Sequence, residues 1–431
     1  MTKRVLLISP YFPPHNTIGT KRAINFVQGI HGMDNWEVIV LASKPFNDKN
    51  DFRLTEQIPS DVAVNYGFVG IFRPIIQFLA KGLKKSKSKP VITKVAGPKK
   101  KKSKSKPSKS LTPFDQYLWD TGSAVRNGKK LIKKFKPDVI WVNADPWSGF
   151  LVADKLSRKF GIPWVADLRD PWTIFEKKME LRPKLTANAI RRYERKFFES
   201  ASKVVLNTET SCLAYKEVYS GSLNKKFTFI RNAFNEKLLK EGLVTSPNEV
   251  FTFGYYGGFR KFVPSNYLLK GFAAFVENIK LDPTQVKLEV KGNVYSDFWN
   301  QVKEFELEDY VSVEKEINLD DTIALLRSWD VLLLSAVYDF RWMISAKFYD
   351  YLFARKPILA VSDNDELNEL ISITQSGSWA KTDQSEEIEQ LFATYYKAGK
   401  TGLVDNEALI EPYGLNSQAK QFLQVLNDVI S

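Results

Sequence analysis

The sequence is poor in the residues that build disulfides and metal sites. Among 431 residues it has one cysteine, Cys212, and two histidines, His15 and His31. A single cysteine excludes a disulfide within the chain and is typical of a reducing compartment, so we expect a cytoplasmic protein. Because no cysteines and histidines cluster in the sequence, we also expect no zinc site.

Long hydrophobic runs are also missing. No stretch of about 20 residues is free of charged and polar interruptions, so we expect no membrane-spanning helix. The longest apolar candidate, residues 67–83, contains Arg73 and Pro74 and is too short. The opening stretch MTKRVLLISPYF enters a strand-like run directly, which predicts no signal peptide.

Acidic residues are absent between Lys81 and Lys109, where 13 lysines occur. The formal net charge is +14, but without these lysines 50 lysines and arginines remain against 49 acidic residues. The protein is therefore a nearly neutral body with one basic insertion. Since this insertion is rich in Lys, Ser and Pro, we expect it to be disordered over about residues 81–110.

Two classes of polyanion are candidate partners of the basic insertion. Nucleic acid needs only cations at its phosphates, but the insertion has no arginine and no aromatic residue within the lysine runs. The preceding segment GFVGIFRPIIQFLAKGLKK mixes Phe and Ile with basic residues, which is typical of a helix lying on a membrane. We predict an anionic membrane surface as partner, no nucleic acid, and peripheral association with the inner face of the membrane. A merely solubilising loop is the alternative.

The chain does have two blocks in which strand-like and helical segments alternate. The first runs from RVLLISP to FTFIRNAF, and the second begins at FTFGYYGG, Phe251–Gly258. Such alternation predicts an α/β fold of two Rossmann-like, doubly wound domains facing a cleft. In open parallel sheets ligands bind beyond the carboxyl ends of the strands, so polar residues and glycines there are the site candidates.

Glycines and cations follow the first strand of the second block in YYGGFRK. Gly257 and Gly258 give the backbone room to approach a ligand, and Arg260 and Lys261 are suited to a diphosphate. We therefore predict a diphosphate clamp. The alternative is a tight turn with solvated charges.

A helical pattern between two apolar runs, WMISAKFYDYLFARKPILAV, carries one acid on its apolar side. Ser345 is a good N-cap, so Ala346 and Lys347 begin a helix whose N-terminus favours a phosphate. Asp350 shares a face with Ala346 and Ala354 and can accept hydrogen bonds from two ribose hydroxyls. The alternative is an outward aspartate paired with a lysine.

The first block offers polar residues after its own strands. The loop PYFPPHNTIGTKR carries His15 and ends in Gly19, which favours a close backbone approach to a ligand at a helix N-terminus. The acceptor-side candidates are His15, Asp145, Asp167, Arg169 and Asp170. The alternatives are a solvated loop histidine at position 15 and a structural role for Asp167, Arg169 and Asp170. Asp167 and Asp170 have a spacing that a divalent metal can use, but Arg169 between them opposes a cation. We therefore expect no metal.

Six segments, in this order, resemble a family 4 glycosyltransferase of the GT-B fold, a retaining enzyme that uses nucleotide sugars. They are RVLLISPYFPP, KPDVIWVNADPWSGFLVADKLSRKFGIPWVADLRDPW, FTFIRNAF, YYGGFRK, INLDDTIALLRSWDVLLLSA and SAKFYDYLFARKPILAV. The resemblance spans nearly the whole chain apart from the basic insertion. It implies an acceptor-binding domain over 1–232, a donor-binding domain over 233–411, and a final helix, 412–431, that returns to the first domain.

The resemblance also implies roles for individual residues. Gly19 would contact the donor diphosphate through its backbone, and Arg260 and Lys261 would be the catalytic cations that neutralise it. Asp350 stands where the family has a ribose-binding glutamate. Trp342 stands where the family has the first acid of the same motif, eight residues before Asp350, which is a departure from the family's pattern. No protein nucleophile, metal or other cofactor is expected, because stabilising the leaving diphosphate supplies the catalysis.

The function that follows is hexosyl transfer from a UDP- or GDP-linked sugar to a glycan or lipid-linked acceptor, with retention of configuration, in bacterial cell-surface polysaccharide synthesis. Two alternatives stay open. Because Trp342 replaces an acid, the chain could be a catalytically degenerate scaffold that binds a glycan or a partner subunit. A sugar-nucleotide 2-epimerase of the same fold is the other.

Overall fold

The structure is a computed structural model that describes residues 2–44, 50–70, 112–238, 248–259, 265–315 and 322–431. The predicted basic insertion lies outside these ranges. The chain divides into two compact units. The first domain comprises residues 1–206, 215–228 and 423–431, and the second comprises 207–214 and 229–422. The division at 228/229 falls four residues before the boundary predicted at 232/233.

The first domain contains a seven-stranded sheet in the order β3-β2-β1-β4-β5-β6-β7. Its strands are β1 Lys3–Ser9, β2 Trp36–Ser43, β3 Ala63–Phe68, β4 Val139–Ala144, β5 Trp164–Leu168, β6 Lys203–Leu206 and β7 Phe227–Phe229. The helices along this part of the chain are α1 Ile18–Ile30, α2 Thr121–Phe135, α3 Ser148–Phe160, α4 Glu176–Glu180, α5 Lys184–Ser200 and α6 Glu209–Val218.

The central strands of this sheet are buried on both faces. Val5 to Ile8 of β1 and Val139 to Val142 of β4 are fully buried, as continuous apolar runs in parallel sheets are. Strand β3 was not predicted from the sequence. This edge strand is half-buried along most of its length and contains Asn65 and Gly67, so neither an apolar run nor a clean alternation marks it.

The second domain contains a six-stranded parallel sheet in the order β10-β9-β8-β11-β12-β13. Its strands are β8 Phe251–Tyr256, β9 Val286–Lys291, β10 Val311–Glu314, β11 Val331–Ala336, β12 Ile358–Ser362 and β13 Gly377–Ala380. Its helices are α7 Asn266–Ile279, α8 Ser296–Glu304, α9 Thr322–Ser328, α10 Ala346–Ala354, α11 Asp365–Ile373, α12 Ser385–Ala398 and α13 Glu407–Ile410.

Aromatic packing stabilises one side of the second sheet. The ring of Phe253 lies 4.8 Å from that of Phe392 and 6.0 Å from that of Phe272, in edge-to-face arrangements. Each such contact contributes roughly 0.5–1.5 kcal/mol beyond the buried area. The core therefore fixes β8, whose end carries the glycine pair, against α7 and α12.

The final helix, α14 Leu415–Ile430, crosses the division between the units, since residues 423–431 belong to the first. Near its end Asn427 accepts a hydrogen bond of 2.6 Å from the Lys3 ammonium of β1.

The predicted class, two Rossmann-like α/β domains with parallel sheets, is confirmed. Across the described ranges, every helix is too short or too polar to traverse a bilayer.

Candidate functional site

The glycine pair lies at the carboxyl end of β8, as predicted, but its close contacts are with its own chain. Gly257 has a φ of +89°, which favours glycine, and a Cβ there would lie 2.6 Å from Cε of Lys347. Its amide donates to the Lys291 carbonyl at 2.8 Å. A Cβ on Gly258 would collide with the Asn293 carbonyl oxygen. The glycines therefore let β8, β9 and Lys347 come together.

Residues 345–347, the N-terminal end of α10, are called the helix tip below. Ser345 caps the helix, and its exposed side chain accepts from the Lys347 amide at 3.4 Å. The Lys347 ammonium donates to the Tyr255 hydroxyl at 2.9 Å and lies 4.1 Å from that ring's centroid. A cation is thus held beside the positive end of a helix, and both attract an anion.

Asp350 lies on the inward side of α10 and is only 9% exposed. The alternative of an outward, solvated aspartate is therefore excluded. The next residue, Tyr351, accepts from the Tyr256 amide at 2.9 Å and donates to the Leu333 carbonyl at 3.2 Å. Burial raises the pKa of Tyr351 well above its usual value, with a smaller contribution from Asp350. These bonds fix the helix, and with it Asp350, against β8 and β11.

Trp342, which by resemblance stands at the position of the first acid of the family's motif, is part of a stack. The Arg341 guanidinium lies 4.3 Å from the Tyr338 ring centroid and 4.4 Å from that of Trp342. The Trp342 carbonyl accepts from the Thr208 hydroxyl at 2.9 Å. Arg341 was not predicted from the sequence, although its place between Phe340 and Trp342 was the available signal.

Arg260 and Lys261, the predicted catalytic cations, lie outside the described residues.

In the first domain, polar side chains meet at the carboxyl ends of β1, β4 and β5. Arg169 follows β5, and its Nη2 lies 2.9 Å from a carboxylate oxygen of Asp170 and 3.8 Å from one of Asp145, which follows β4. The Arg169 amide also donates to the Ala144 carbonyl at 2.7 Å. The group Tyr11, Asp145, Arg169 and Asp170 is called the acceptor-side cluster below.

Charge within the acceptor-side cluster is set by desolvation and by Arg169. Desolvation by the surrounding protein raises the pKa of Asp145 to about 6, with Arg169 opposing and Asp170 adding to the shift. Burial, and then Asp145, raises the pKa of Tyr11 to about 12. At neutral pH Asp145 is therefore ionised and Tyr11 is neutral. Tyr11 was not among the predicted site residues, although it lies in the singled-out loop.

Comparison with solved structures identifies the architecture. No family model matches the sequence, and no curated protein sequence matches it. HepE of Anabaena, solved with UDP-glucose, superposes with a TM-score of 0.62 at 15% identity over 99% of each chain. The apo form of the lipopolysaccharide outer core galactosyltransferase WaaB gives 0.61 at 13% identity, also over 99% of each chain. The chain has the GT-B fold.

Other proteins share this GT-B architecture with lower similarity. A putative UDP-N-acetylglucosamine 2-epimerase from Listeria monocytogenes gives a TM-score of 0.56 at 10% identity, over 99% of this chain and 96% of that one. The predicted resemblance to GT-B glycosyltransferases is confirmed for the fold. At these identities it assigns no activity by itself.

Within the GT-B fold, Asp167 belongs to the interior of the first domain. It is fully buried and accepts from Arg22 through Nε at 3.1 Å and Nη2 at 2.8 Å. Trp141 Nε1 at 3.2 Å and Asn143 Nδ2 at 3.0 Å complete its partners. Its burial and these four hydrogen bonds favour the structural role for Asp167 over the acceptor-side one.

His15 and Gly19 are also internal. His15 is 3% exposed and forms a β-bridge with Asn50, so the alternative of a solvated loop histidine is wrong, and its contact with an acceptor stays a prediction. A Cβ on Gly19 would lie 2.8 Å from Cδ2 of Tyr11 and 3.6 Å from the Asp145 carbonyl oxygen. The space beside Gly19 is therefore occupied by Tyr11 and Asp145, two residues of the acceptor-side cluster.

Glu194 of α5, which was not predicted from the sequence, supports the loop that follows β5. It is fully buried and accepts from the Thr173 amide at 3.0 Å and from the hydroxyls of Tyr215 and Tyr219, each at 2.9 Å. Burial raises its pKa to about 7 against the effect of these hydrogen bonds. This network ties the loop after Arg169 and Asp170 to α5 and α6.

No group of three or more His, Cys, Asp or Glu side chains in the described ranges has an arrangement that holds a metal ion.

Proposed function

We propose that the chain is a glycosyltransferase whose second domain binds a nucleotide-sugar donor at the helix tip. The observation that carries this proposal is the combination of a capped helix N-terminus, the Lys347 ammonium and the inward Asp350 on one short helix. Asp350 lies four residues after Ala346, about 6 Å along the helix axis. That spacing suits a diphosphate at the tip with its ribose hydroxyls on Asp350.

The catalytic step in this proposal is stabilisation of the leaving diphosphate. Its negative charge grows as the bond to the sugar breaks, and Lys347 and the tip amides lie ready to stabilise it. By resemblance, Arg260 and Lys261 would add two cations. The acceptor oxygen forms the new glycosidic bond to the anomeric carbon as the bond to the diphosphate breaks, and the acceptor proton passes to the leaving diphosphate. Because the acceptor attacks the same face that the diphosphate leaves, configuration is retained without a protein nucleophile or a metal.

The donor in this proposal is a UDP- or GDP-linked hexose. HepE holds UDP-glucose and WaaB is a galactosyltransferase, which supports a hexosyl donor. The acceptor, a glycan or a lipid-linked sugar, would meet the acceptor-side cluster, where the ionised Asp145 accepts a hydrogen bond from its hydroxyl. Synthesis of a bacterial cell-surface polysaccharide is the proposed context. The basic insertion would associate the enzyme with the inner face of the membrane.

Two alternatives have an observation in their favour. The stack of Arg341 between Tyr338 and Trp342 fills the place of an acid in the family's motif, as a catalytically degenerate scaffold would allow. The similarity to a putative 2-epimerase supports epimerisation of a nucleotide sugar. A transferase releases nucleoside diphosphate in proportion to sugar transferred, an epimerase returns an intact nucleotide sugar, and a scaffold does neither.

The test is turnover of a panel of UDP- and GDP-linked sugars, read as nucleotide release and as isomerisation of the donor by NMR. We expect release from one donor class. Because a hydrogen bond to a charged group contributes roughly 1.5–3 kcal/mol, Asp350→Ala should weaken nucleotide binding by about 10- to 100-fold. The control is Asp309→Ala, an exposed aspartate that precedes β10 at the opposite edge of the sheet.

Three results would overturn the proposal. If no donor is consumed, the scaffold is favoured, and if the donor is isomerised without release, the epimerase is favoured. If Asp350→Ala binds nucleotide as tightly as the wild type, Asp350 is not in the site.

A further inference from the structure

The outward face of α5 is strongly basic. The buried side of this helix, residues 184–200, includes Ile190, Phe197 and Phe198, which pack against the domain. The exposed residues of the helix recur at helical spacing on its other side. Five exposed cations lie on that outer face: Lys184, Arg191, Arg192, Arg195 and Lys196. The single exposed acid of the helix is Glu199, because Glu194 is buried.

Two leucines are exposed where this face begins. Leu185 is 86% exposed, the highest value for a large apolar side chain in the part of the chain that the structure describes. Leu181, in the turn between α4 and α5, is 49% exposed. A leucine left in water forgoes the favourable transfer of its side chain into an apolar environment, so an exposed pair beside a row of cations indicates a surface that binds a partner.

We propose that this face, Leu181 and Leu185 with the five cations of α5, docks on an anionic lipid bilayer. The leucines enter the boundary between headgroups and acyl chains, and the cations contact the lipid phosphates. Charge complementarity alone would also suit a nucleic acid. Exposed leucines at the start of the face distinguish the two, because a duplex or single strand would leave them in water.

The docking face is joined to the acceptor-side cluster through α5 itself. Glu194, on the buried side of the helix, binds the Thr173 amide in the loop that begins with Arg169 and Asp170. A bilayer on the outer face would therefore lie one helix away from the proposed acceptor site. This last step rests on the proposed function, and it favours a lipid-linked acceptor over a soluble glycan.

Sedimentation of the full chain with vesicles tests the docking face. Vesicles of phosphatidylcholine with phosphatidylglycerol are compared with pure phosphatidylcholine, at low and at high salt. Since each lysine or arginine near an anionic leaflet contributes about 1 kcal/mol, Arg191→Glu with Arg192→Glu should weaken binding at least about tenfold. Leu185→Asp should also weaken it, and high salt should release the wild type.

Matched controls separate this face from a general charge effect. Lys133→Glu with Lys134→Glu, two exposed lysines of α2, makes the same change in net charge. Leu213→Asp changes a leucine that is 58% exposed on α6. Both controls should sediment as the wild type does. Thermal melting of every variant establishes that it is folded.

Three outcomes would overturn the proposal. The first is equal binding by the Arg191/Arg192 variant and its control. The second is complete loss of binding on deletion of Lys81–Lys109 while the α5 variants still bind, which would assign docking to the insertion. The third is that the α5 variants lose binding to RNA but still sediment with vesicles, which would assign this face to a nucleic acid.

Nucleotide release from a soluble donor distinguishes a failure of the docking proposal from a failure of the proposed glycosyltransferase function. The α5 variants should release nucleotide as the wild type does. A wild type that docks through α5 but turns over no donor would refute the proposed function and leave the docking face standing.

Discussion

The carboxyl ends of the two sheets present cations in opposite ways. In the first domain Arg169 lies between Asp145 and Asp170, so its charge is balanced by carboxylates of its own chain. In the second, Lys347 contacts the hydroxyl and ring of Tyr255, which are neutral and do not balance its positive charge. A balanced cluster suits a neutral hydroxyl acceptor, and a cation at a helix tip suits a diphosphate.

The largest expected effect is a loss of stability, and it tests whether Asp167 belongs to the domain interior while Asp170 belongs to the acceptor-side cluster. Asp167→Ala leaves Arg22 charged and buried without its carboxylate, which should lower the free energy of unfolding by about 3–5 kcal/mol. Asp170→Ala, whose side chain is 16% exposed, should cost clearly less stability but impair use of the acceptor. Denaturant unfolding measures both variants, and equal losses would contradict the assignment of Asp167 to the interior.

A smaller effect tests the cation of the second site. Lys347→Ala should weaken binding of UDP or GDP by about 10- to 100-fold, because a charge-assisted hydrogen bond to phosphate is lost. Lys397→Ala, an exposed lysine of α12, is the control. Calorimetric titration gives both affinities, and an unchanged affinity in Lys347→Ala would remove the contrast between the two domains.

The smallest effect concerns the pH dependence of the acceptor-side cluster. Asp145 has a pKa of about 6, so acceptor-dependent turnover should fall as the pH drops through 6. Binding of a nucleotide-sugar donor should not fall, because its diphosphate is esterified at both ends and does not titrate near this pH. In Asp145→Asn this fall in turnover near pH 6 should disappear, and turnover at neutral pH should be about tenfold slower. Steady-state rates measured against pH test both expectations. If turnover of Asp145→Asn still falls near pH 6, the titrating group is another residue.

The sign of the stability change at Asp145 helps to separate this effect from unfolding. Its pKa is raised in the folded chain, so its contribution to stability is fully present at low pH and is lost as the pH rises through 6. Titration of this residue therefore does not destabilise the protein in the range where activity should fall.

The fold could be predicted because buried parallel strands are continuous apolar runs. Val331–Ala336 and Ile358–Ser362 stand out in the sequence for that reason, and the helix between them begins at a good N-cap. The inward direction of Asp350 also followed from local spacing. These features depend on residues close together in the chain.

The rest depends on pairs that are distant in sequence. Arg22 and Asp167 are 145 residues apart, and nothing local indicates that one neutralises the other. Glu194 likewise looks like one more charge on a polar helix until Tyr215 and Tyr219 are seen to bind it. A strand-end acid is therefore a site residue or an internal partner according to the fold, which the sequence pattern alone does not distinguish.

The central claim is that the helix tip holds the donor diphosphate, and a crystal structure with bound UDP or GDP tests it most directly. The account predicts phosphate oxygens about 2.7–3.2 Å from the amides that begin α10 and from the Lys347 ammonium, with the ribose hydroxyls on Asp350. A nucleotide bound away from residues 345–350 would contradict the account.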